Sequence, residues 1–343
     1  MNAIVYHEDF NKYDLGVDHP LIGDKPRQTM KFLTEKNILS SFDLLTPTPC
    51  SEQDLLRVHE KRYVDRVKEL SENGGWLAAD TPAPIGIYDI ARLAAGGSIL
   101  AGEKLFQGYN LSVNPLGGFH HASRAYSSGF CFFNDIAVTI EYLREKYHLK
   151  RCAILDLDVH HGNGTQDIYY DDPHILNISL HQDGRTLYPG TGGVEKIGRD
   201  RAEGYTINIP LPPATNGTSY LKAFHAIVPK IVRAFDPELI IYQSGVDTHH
   251  TDPLADLRLT YQTYYSLAQT IQKLSTETCN KLLVLFGGGY NSISCIIAYY
   301  NILSGILGDK DFYTEPETID SSGVNIDIII KDVKKHIKKY WKI

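Results

Sequence analysis

Cysteine is scarce: Cys50, Cys131, Cys152, Cys279 and Cys295 are the five in 343 residues. The count is odd and no two form a C-x-x-C pair, which argues against a disulfide framework and a cysteine-ligated zinc. A reducing compartment fits, and a cytoplasmic location is expected. A surplus of positive charge is also missing. Lys plus Arg is 34 against 41 Asp plus Glu, a formal net charge of −7. A protein living on nucleic-acid phosphate is usually basic, so no direct nucleic-acid partner is expected. The balance is compatible with a cationic ligand.

No repeat, low-complexity segment or Pro/Gly/Ser-rich linker divides the chain. One domain over residues 1–343 is expected, with a helical tail over about 325–343. Met1 to Phe10 carries Glu8 and Asp9 and has no apolar run, so no signal peptide is read there. Leu282 to Gly308 has no charged residue and is long enough to span a bilayer. Its central Gly287, Gly288, Gly289, Asn291, Ser292 and Ser294 favour a buried strand, a glycine turn and a helix instead. No membrane partner is expected. In the basic tail, Val333, Ile337 and Trp341 recur at helical spacing among lysines, which fits a helix docked by its apolar stripe.

What is present is alternation. Short apolar runs interleave with longer amphipathic ones, the pattern of an α/β fold with a mainly parallel sheet. Strands are expected at Ala3–His7, Leu111–Asn114, Cys152–Asp158, Ile175–His181, Tyr205–Leu211, Leu239–Ser244 and Leu282–Phe286. Helices are expected at Arg27–Lys36, Glu52–His59, Tyr63–Asn73, Ile87–Phe106, Asp135–Lys146, Ser219–Ala234, Tyr261–Glu277, Ser292–Leu307 and near Lys331–Lys342.

The polar residues of interest follow the C-terminal ends of these strands, the edge where open parallel sheets bind ligands. They are His120, His121, Asp156, Asp158, His160, His181, Asp247 and Tyr290. Alternation puts Asp156, Asp158 and His160 on one side of an extended segment. Buried unpaired, they are costly; a cation offsets the cost, and the Asp/His mixture suits Zn²⁺ or a similar ion. A salt-bridged histidine is the alternative. Asp247 completes an Asp–His–Asp set with an open position, although a strand-end Asp is often a helix cap. Gly117-Gly118-Phe119-His120-His121 sets two imidazoles side by side in a glycine-rich turn, where an exposed pair is the bland reading. Phe286-Gly287-Gly288-Gly289-Tyr290-Asn291 lacks the G-x-G-x-x-G spacing and a P-loop lysine, so it is not a phosphate loop.

With these stretches the chain resembles the zinc-dependent histone deacetylase family, of the arginase/deacetylase fold, in its bacterial amidohydrolase form. The matching segments are Gly117–His121, Ser128–Asp135, Asp156–Gln166, Leu187–Gly192, Gly245–Leu259 and Gly287–Asn291, in the family's order. The resemblance implies a three-layer α/β/α fold and zinc-dependent removal of acetyl or other acyl groups from lysine side chains of a peptide or protein. It implies Zn²⁺ on Asp158, His160 and Asp247. His120 and His121 are then the tandem histidines, with His120 oriented by Asp156, and Tyr290 is the catalytic tyrosine. Phe130 and Tyr188 wall the acyl-lysine tunnel, Asp80 grips the substrate backbone at the rim, and Gly129 offers a carbonyl to the substrate amide. Arg27 matches an internal-channel arginine. Asp156 and Ser179, with the carbonyls of Asp158, His160 and Leu180, imply a structural K⁺ or Na⁺ site. The carbonyls of Tyr169, Asp172, Ile175 and Tyr205 imply a second.

Two positions depart from the family's commoner pattern. Asn163 stands where some members pair the second histidine with Asp; a neutral amide orients His121 without raising its pKa. Tyr188 stands where Phe is frequent. Polyamine-selective relatives tend to carry an acidic gatekeeper seven residues after the third zinc ligand, and here that residue is Leu254. An acetylpolyamine or other small amide remains the alternative substrate, and a non-catalytic acyl-lysine-binding protein the alternative class. An arginase-like two-metal site lacks an Asp at Gly162.

Overall fold

The computed structural model describes residues 1–16, 19–21 and 23–342. The elements run β1 (Asn2–Val5), α1 (Lys25–Glu35), β2 (Asp43–Leu45), α2 (Glu52–Leu56), α3 (Lys61–Asn73), β3 (Gly75–Ala78), β4 (Thr81–Ala83), α4 (Ile87–Leu105), β5 (Leu111–Asn114) and α5 (Asp135–Tyr147). They continue with β6 (Cys152–Asp156), α6 (Asn163–Tyr169), β7 (Ile175–Gln182), β8 (Thr206–Leu211), α7 (Gly217–Phe235), β9 (Leu239–Gln243), α8 (Tyr261–Glu277), β10 (Leu282–Leu285), α9 (Ser292–Leu307) and α10 (Ile326–Ile337). Local chemistry sets the starts. Asn134, Asn216 and Asn291 each accept a backbone N–H of the first turn of α5, α7 and α9. Ser51 and Asp54 cap α2 reciprocally.

The chain divides into two compact units. The first is Met1–Lys150, Asn163–Ile168 and Leu283–Gly287; the second is Arg151–Gly162, Tyr169–Leu282 and Gly288–Ile343. In the first the strand order is β2-β1-β5-β10, and β1 pairs in parallel with β2 and β5. Helix α4 packs on β5 and against α5. In the second the order is β9-β6-β7-β8, again parallel, with Asp156 opposite Ser179 and Gln243. These strands are buried along their whole length, which is why they read as apolar runs.

The sequence reading missed β2, the β3–β4 hairpin and α6. The first three have only three or four residues, too few for a period, and β4 contains Pro82. The helix expected near Lys331–Lys342 begins earlier, at the start of the expected tail: Asn325 caps α10, which buries Ile326, Ile330, Val333 and Ile337. Trp341 docks just beyond it, its Nε1–H donating to the Gly204 carbonyl at 2.7 Å. The uncharged stretch forms β10, the glycine turn and α9. Among the described residues no helix is long and apolar enough to cross a membrane.

His59, in the first unit, makes stability depend on pH. Its Nδ1–H donates to the Ser123 carbonyl at 2.9 Å, and its Nε2 accepts the Asn134 N–H at 3.0 Å. Burial pushes the pKa down to about 4, because a second proton has neither water nor an acceptor. The folded value lies below the unfolded one, so the unfolded chain takes up the proton first as pH falls. The contribution is complete above the unfolded pKa of about 6.5 and is lost towards about 4, a change of about 3 kcal/mol. Denaturant titrations across this range are expected to show the loss in wild type and a shallower slope in His59→Gln. Equal slopes would remove His59 as the cause.

Candidate active site

The tandem histidines owe their position to a buried carboxylate. Asp135, the first residue of α5, accepts the Gly118 N–H at 3.0 Å, the Phe119 N–H at 2.7 Å and the Ser98 hydroxyl. Burial raises its pKa, and these hydrogen bonds work against that rise. A Cβ on Gly117 would lie 2.9 Å from Asp135 Oδ2, so only glycine lets the turn close on the carboxylate. The turn delivers His120 and His121 buried rather than exposed, at 3% and 4% accessibility, which removes the bland reading of this pair.

The rings lie 4.1 Å apart, with the two Nε2 atoms 3.1 Å from each other. His121 Nδ1 lies 2.7 Å from Asn163 Oδ1 at the start of α6. An amide oxygen only accepts, so Nδ1 carries the proton and Nε2 keeps its lone pair. The proton between the two Nε2 atoms therefore belongs to His120.

Gly129 lies against His121: a Cβ there would sit 2.0 Å from the ring's Cδ2. Phe130 follows at φ +67°, held by its N–H to Thr81 Oγ1 at 3.2 Å and by the Tyr13 hydroxyl on its carbonyl at 2.8 Å. The Gly129 carbonyl accepts the Cys131 thiol at 3.1 Å.

Asp80 has partners that its sequence context did not show. Its carboxylate turns inwards, Oδ2 accepting the Gly129 N–H at 3.0 Å and Oδ1 the Thr81 hydroxyl at 2.8 Å. Two donors of the loop hold it, and it fixes Gly129–Phe130 over His121. Asp80→Ala is then expected to lower kcat/KM for small amides and peptides alike, by about tenfold, through displaced catalytic groups. A loss confined to peptides would restore the rim role.

Arg27 is a correction. Its guanidinium is 52% exposed and paired with Glu8 and Asp24 at the surface, so water and two carboxylates already satisfy it. It is not an internal-channel residue. Lys25, two residues earlier, instead reaches the glycine turn, its Nζ donating to the Gly287 carbonyl at 3.1 Å.

The second unit gathers Asp158, His160 and Asp247. Asp158 Oδ1 and Asp247 Oδ2 each lie 3.1 Å from His160 Nδ1, and all three residues are buried. Burial, then the Asp158 charge, pushes the Asp247 carboxyl up to about 7. His160 is pulled down by burial, but the two carboxylates outweigh this and hold it up at about 10. Two buried carboxylates on one imidazole are a site short of positive charge. A divalent ion fits, and its ligand atoms already converge.

Backbone and side chains orient the ligands. Asp158 Oδ2 accepts the Gly288 N–H at 2.9 Å and the Gln243 amide at 3.1 Å; Asp247 Oδ1 accepts the Val159 N–H at 2.8 Å. A Cβ on Gly245 would meet Asp158 Oδ2 at 2.1 Å, and one on Gly288 would meet Asp247 Oδ2 at 2.3 Å. The glycine turn therefore serves close backbone approach to the carboxylates.

That turn also sets Tyr290, whose N–H donates to Asp252 Oδ2 at 2.7 Å. Asn291 next caps α9. Tyr188 is 41% exposed, its ring edge-on to His160 at 6.2 Å. Leu254 is half-buried, its N–H on Asp252 Oδ1 at 3.0 Å. Asp156 and Ser179 are buried cross-strand neighbours, and the Ser179 hydroxyl contacts His181 Nδ1 at 2.8 Å. The Leu180 carbonyl accepts the Tyr220 hydroxyl at 3.4 Å. The carbonyls of Tyr169, Asp172 and Tyr205 each accept one backbone N–H, and Ile175 donates to Asp172.

Asp135, Gln243, Asp252 and Lys25 carry positioning roles that the sequence reading did not assign. Asp135 and Asp252 lie inside the matched segments, so only their partners were hidden. Gln243, at the buried end of β9, gave no signal.

The histone deacetylase domain model matches residues 19–305. A probable deacetylase of Archaeoglobus fulgidus is 36% identical, covering 100% of this chain and 99% of its own. A histone deacetylase-like amidohydrolase of Pseudomonas aeruginosa is 39% identical over 82% of this chain and 75% of its own. The acetoin utilization protein AcuC of Bacillus subtilis is 34% identical over 84% and 78%. Among solved structures, the HDA15 HD domain superposes with a TM-score of 0.87 at 28% identity, covering 99% of this chain and 95% of that one. The expected three-layer α/β/α architecture with a mainly parallel sheet is thus the one found. The chain belongs to the histone deacetylase family, hydrolases of carbon–nitrogen amide bonds.

Proposed function

We propose that the chain is a zinc-dependent deacylase acting on acylated lysine side chains of a peptide or protein. The observation that carries this reading is the buried Asp158–His160–Asp247 group, two carboxylates and an imidazole with their ligand atoms converged. A Zn²⁺ ion held there supplies Lewis acidity, lowering the pKa of water to about 7 and polarising the amide carbonyl.

The chain's own groups do the rest. His121, its Nδ1–H fixed by Asn163, offers its Nε2 lone pair to a water that displaces the His120 proton, and takes the water's proton. It then returns a proton to the leaving lysine amine. His120 keeps its Nε2–H beside the reacting oxygen as a donor. The Tyr290 hydroxyl donates to the developing oxyanion. Phe130 and Tyr188 each offer an aromatic face to the lysine stem. K⁺ or Na⁺ at Asp156, Ser179 and the carbonyls of Asp158, His160 and Leu180 serves structure, as does an ion at Tyr169, Asp172, Ile175 and Tyr205.

Leu254 decides between the substrate classes. An apolar residue there offers no counter-charge for the internal ammonium of a polyamine. An acetyl-lysine peptide is expected to exceed N8-acetylspermidine in kcat/KM, and Leu254→Glu to shift the ratio towards the polyamine. Wild-type preference for the polyamine would overturn the lysine substrate and leave the amide hydrolase standing.

A further inference from the structure

A second cluster in the second unit is unused by this chemistry. His249 and His250 follow Asp247 by two and three residues, and Glu315 comes from the chain between α9 and α10. His249 Nε2 lies 2.8 Å from Glu315 Oε1, and His250 Nε2 lies 3.1 Å from Oε2. The two rings are 4.5 Å apart and inclined by 33°, so both nitrogens face one carboxylate. One ligand atom from each residue lies within 4.8 Å of the others.

The surroundings hold these groups in place. His249 is buried and stacked on Tyr261 at 4.6 Å. Its Nδ1 faces the Thr251 hydroxyl at 2.9 Å and accepts the Thr251 N–H at 3.3 Å; with an ion on Nε2 the ring proton moves to Nδ1, where the Thr251 hydroxyl can accept it. Glu315 Oε1 also takes the Tyr261 N–H at 3.1 Å. The Glu315 backbone is clasped by the Gln262 amide, which donates to its carbonyl at 2.9 Å and accepts its N–H at 3.2 Å. The His250 and Glu315 side chains are 31% and 18% exposed, so an ion has a way in and water can complete its shell.

We propose that His249, His250 and Glu315 form a second divalent-metal site. Two imidazoles and a carboxylate are zinc-type ligands, and the ion fastens the segment around Glu315 to the loop that carries Asp247. The site is separate in ligands from Asp158–His160–Asp247, and its role is structural.

The test is metal content. Wild-type protein loaded with Zn²⁺ and dialysed is expected to retain about two ions per chain, and His250→Ala and Glu315→Gln about one each. A Zn²⁺ titration of the thermal midpoint is expected to show a second rise in wild type that His250→Ala lacks. One ion in wild type, or undiminished content with equal thermal shifts in both variants, overturns the proposal. His250 is partly exposed, so its substitution leaves the fold intact if Glu315→Gln does not.

Discussion

Asp247→Ala is expected to lose the ion of the first cluster and at least three decades of turnover. Removing one ligand leaves a two-ligand site whose affinity falls steeply, and the reaction loses the Lewis acid that activates both water and carbonyl. Structure adds a second cost. Asp247 Oδ1 holds the Val159 N–H, so the segment between Asp158 and His160 also loosens. Elemental analysis and acetate release from an acetyl-lysine peptide, measured on one preparation, check both effects. Unchanged metal content together with unchanged turnover would remove Asp247 from the ligand set.

His121→Ala is expected to retain the ion while losing about two to four decades of turnover, the usual range for a positioned acid–base group. The Asn163 contact makes the pair unequal. The His121 Nδ1 proton is held by the Asn163 amide oxygen, which leaves its Nε2 as the proton acceptor. His120→Ala is therefore expected to be the milder variant. A mild His121→Ala beside a severe His120→Ala would exchange the two roles. Tyr290→Phe belongs to the same series: it should keep its metal and lose about two to three decades through the missing oxyanion donor.

Much of this was legible because metal and acid–base chemistry needs particular residue types at strand ends. Asp158, His160 and Asp247 each follow a strand that reads as a buried apolar run, and their convergence follows from the parallel pairing of β6 and β9. What stayed hidden was the work of side chains whose partners are distant in sequence. Asp135 resembles an ordinary first-turn residue of α5 until its carboxylate is seen on the Gly118 and Phe119 amides. Asp80 was read only as a substrate contact, and its carboxylate also closes on Gly129, 49 residues away. Arg27 was placed in an internal channel, and Lys25 left unassigned, for a similar reason. They stand on the same first turn of α1, and only the side-chain paths show which meets carboxylates in water and which meets the glycine turn. The short β2, β3 and β4 lacked the length for any period to show.

The most direct test of the central claim removes the metal rather than a ligand. Wild-type protein stripped by a chelator should release no acetate from an acetyl-lysine peptide, and adding back Zn²⁺ should restore turnover. Full turnover by the stripped protein, with metal content confirmed as nil, would contradict the account.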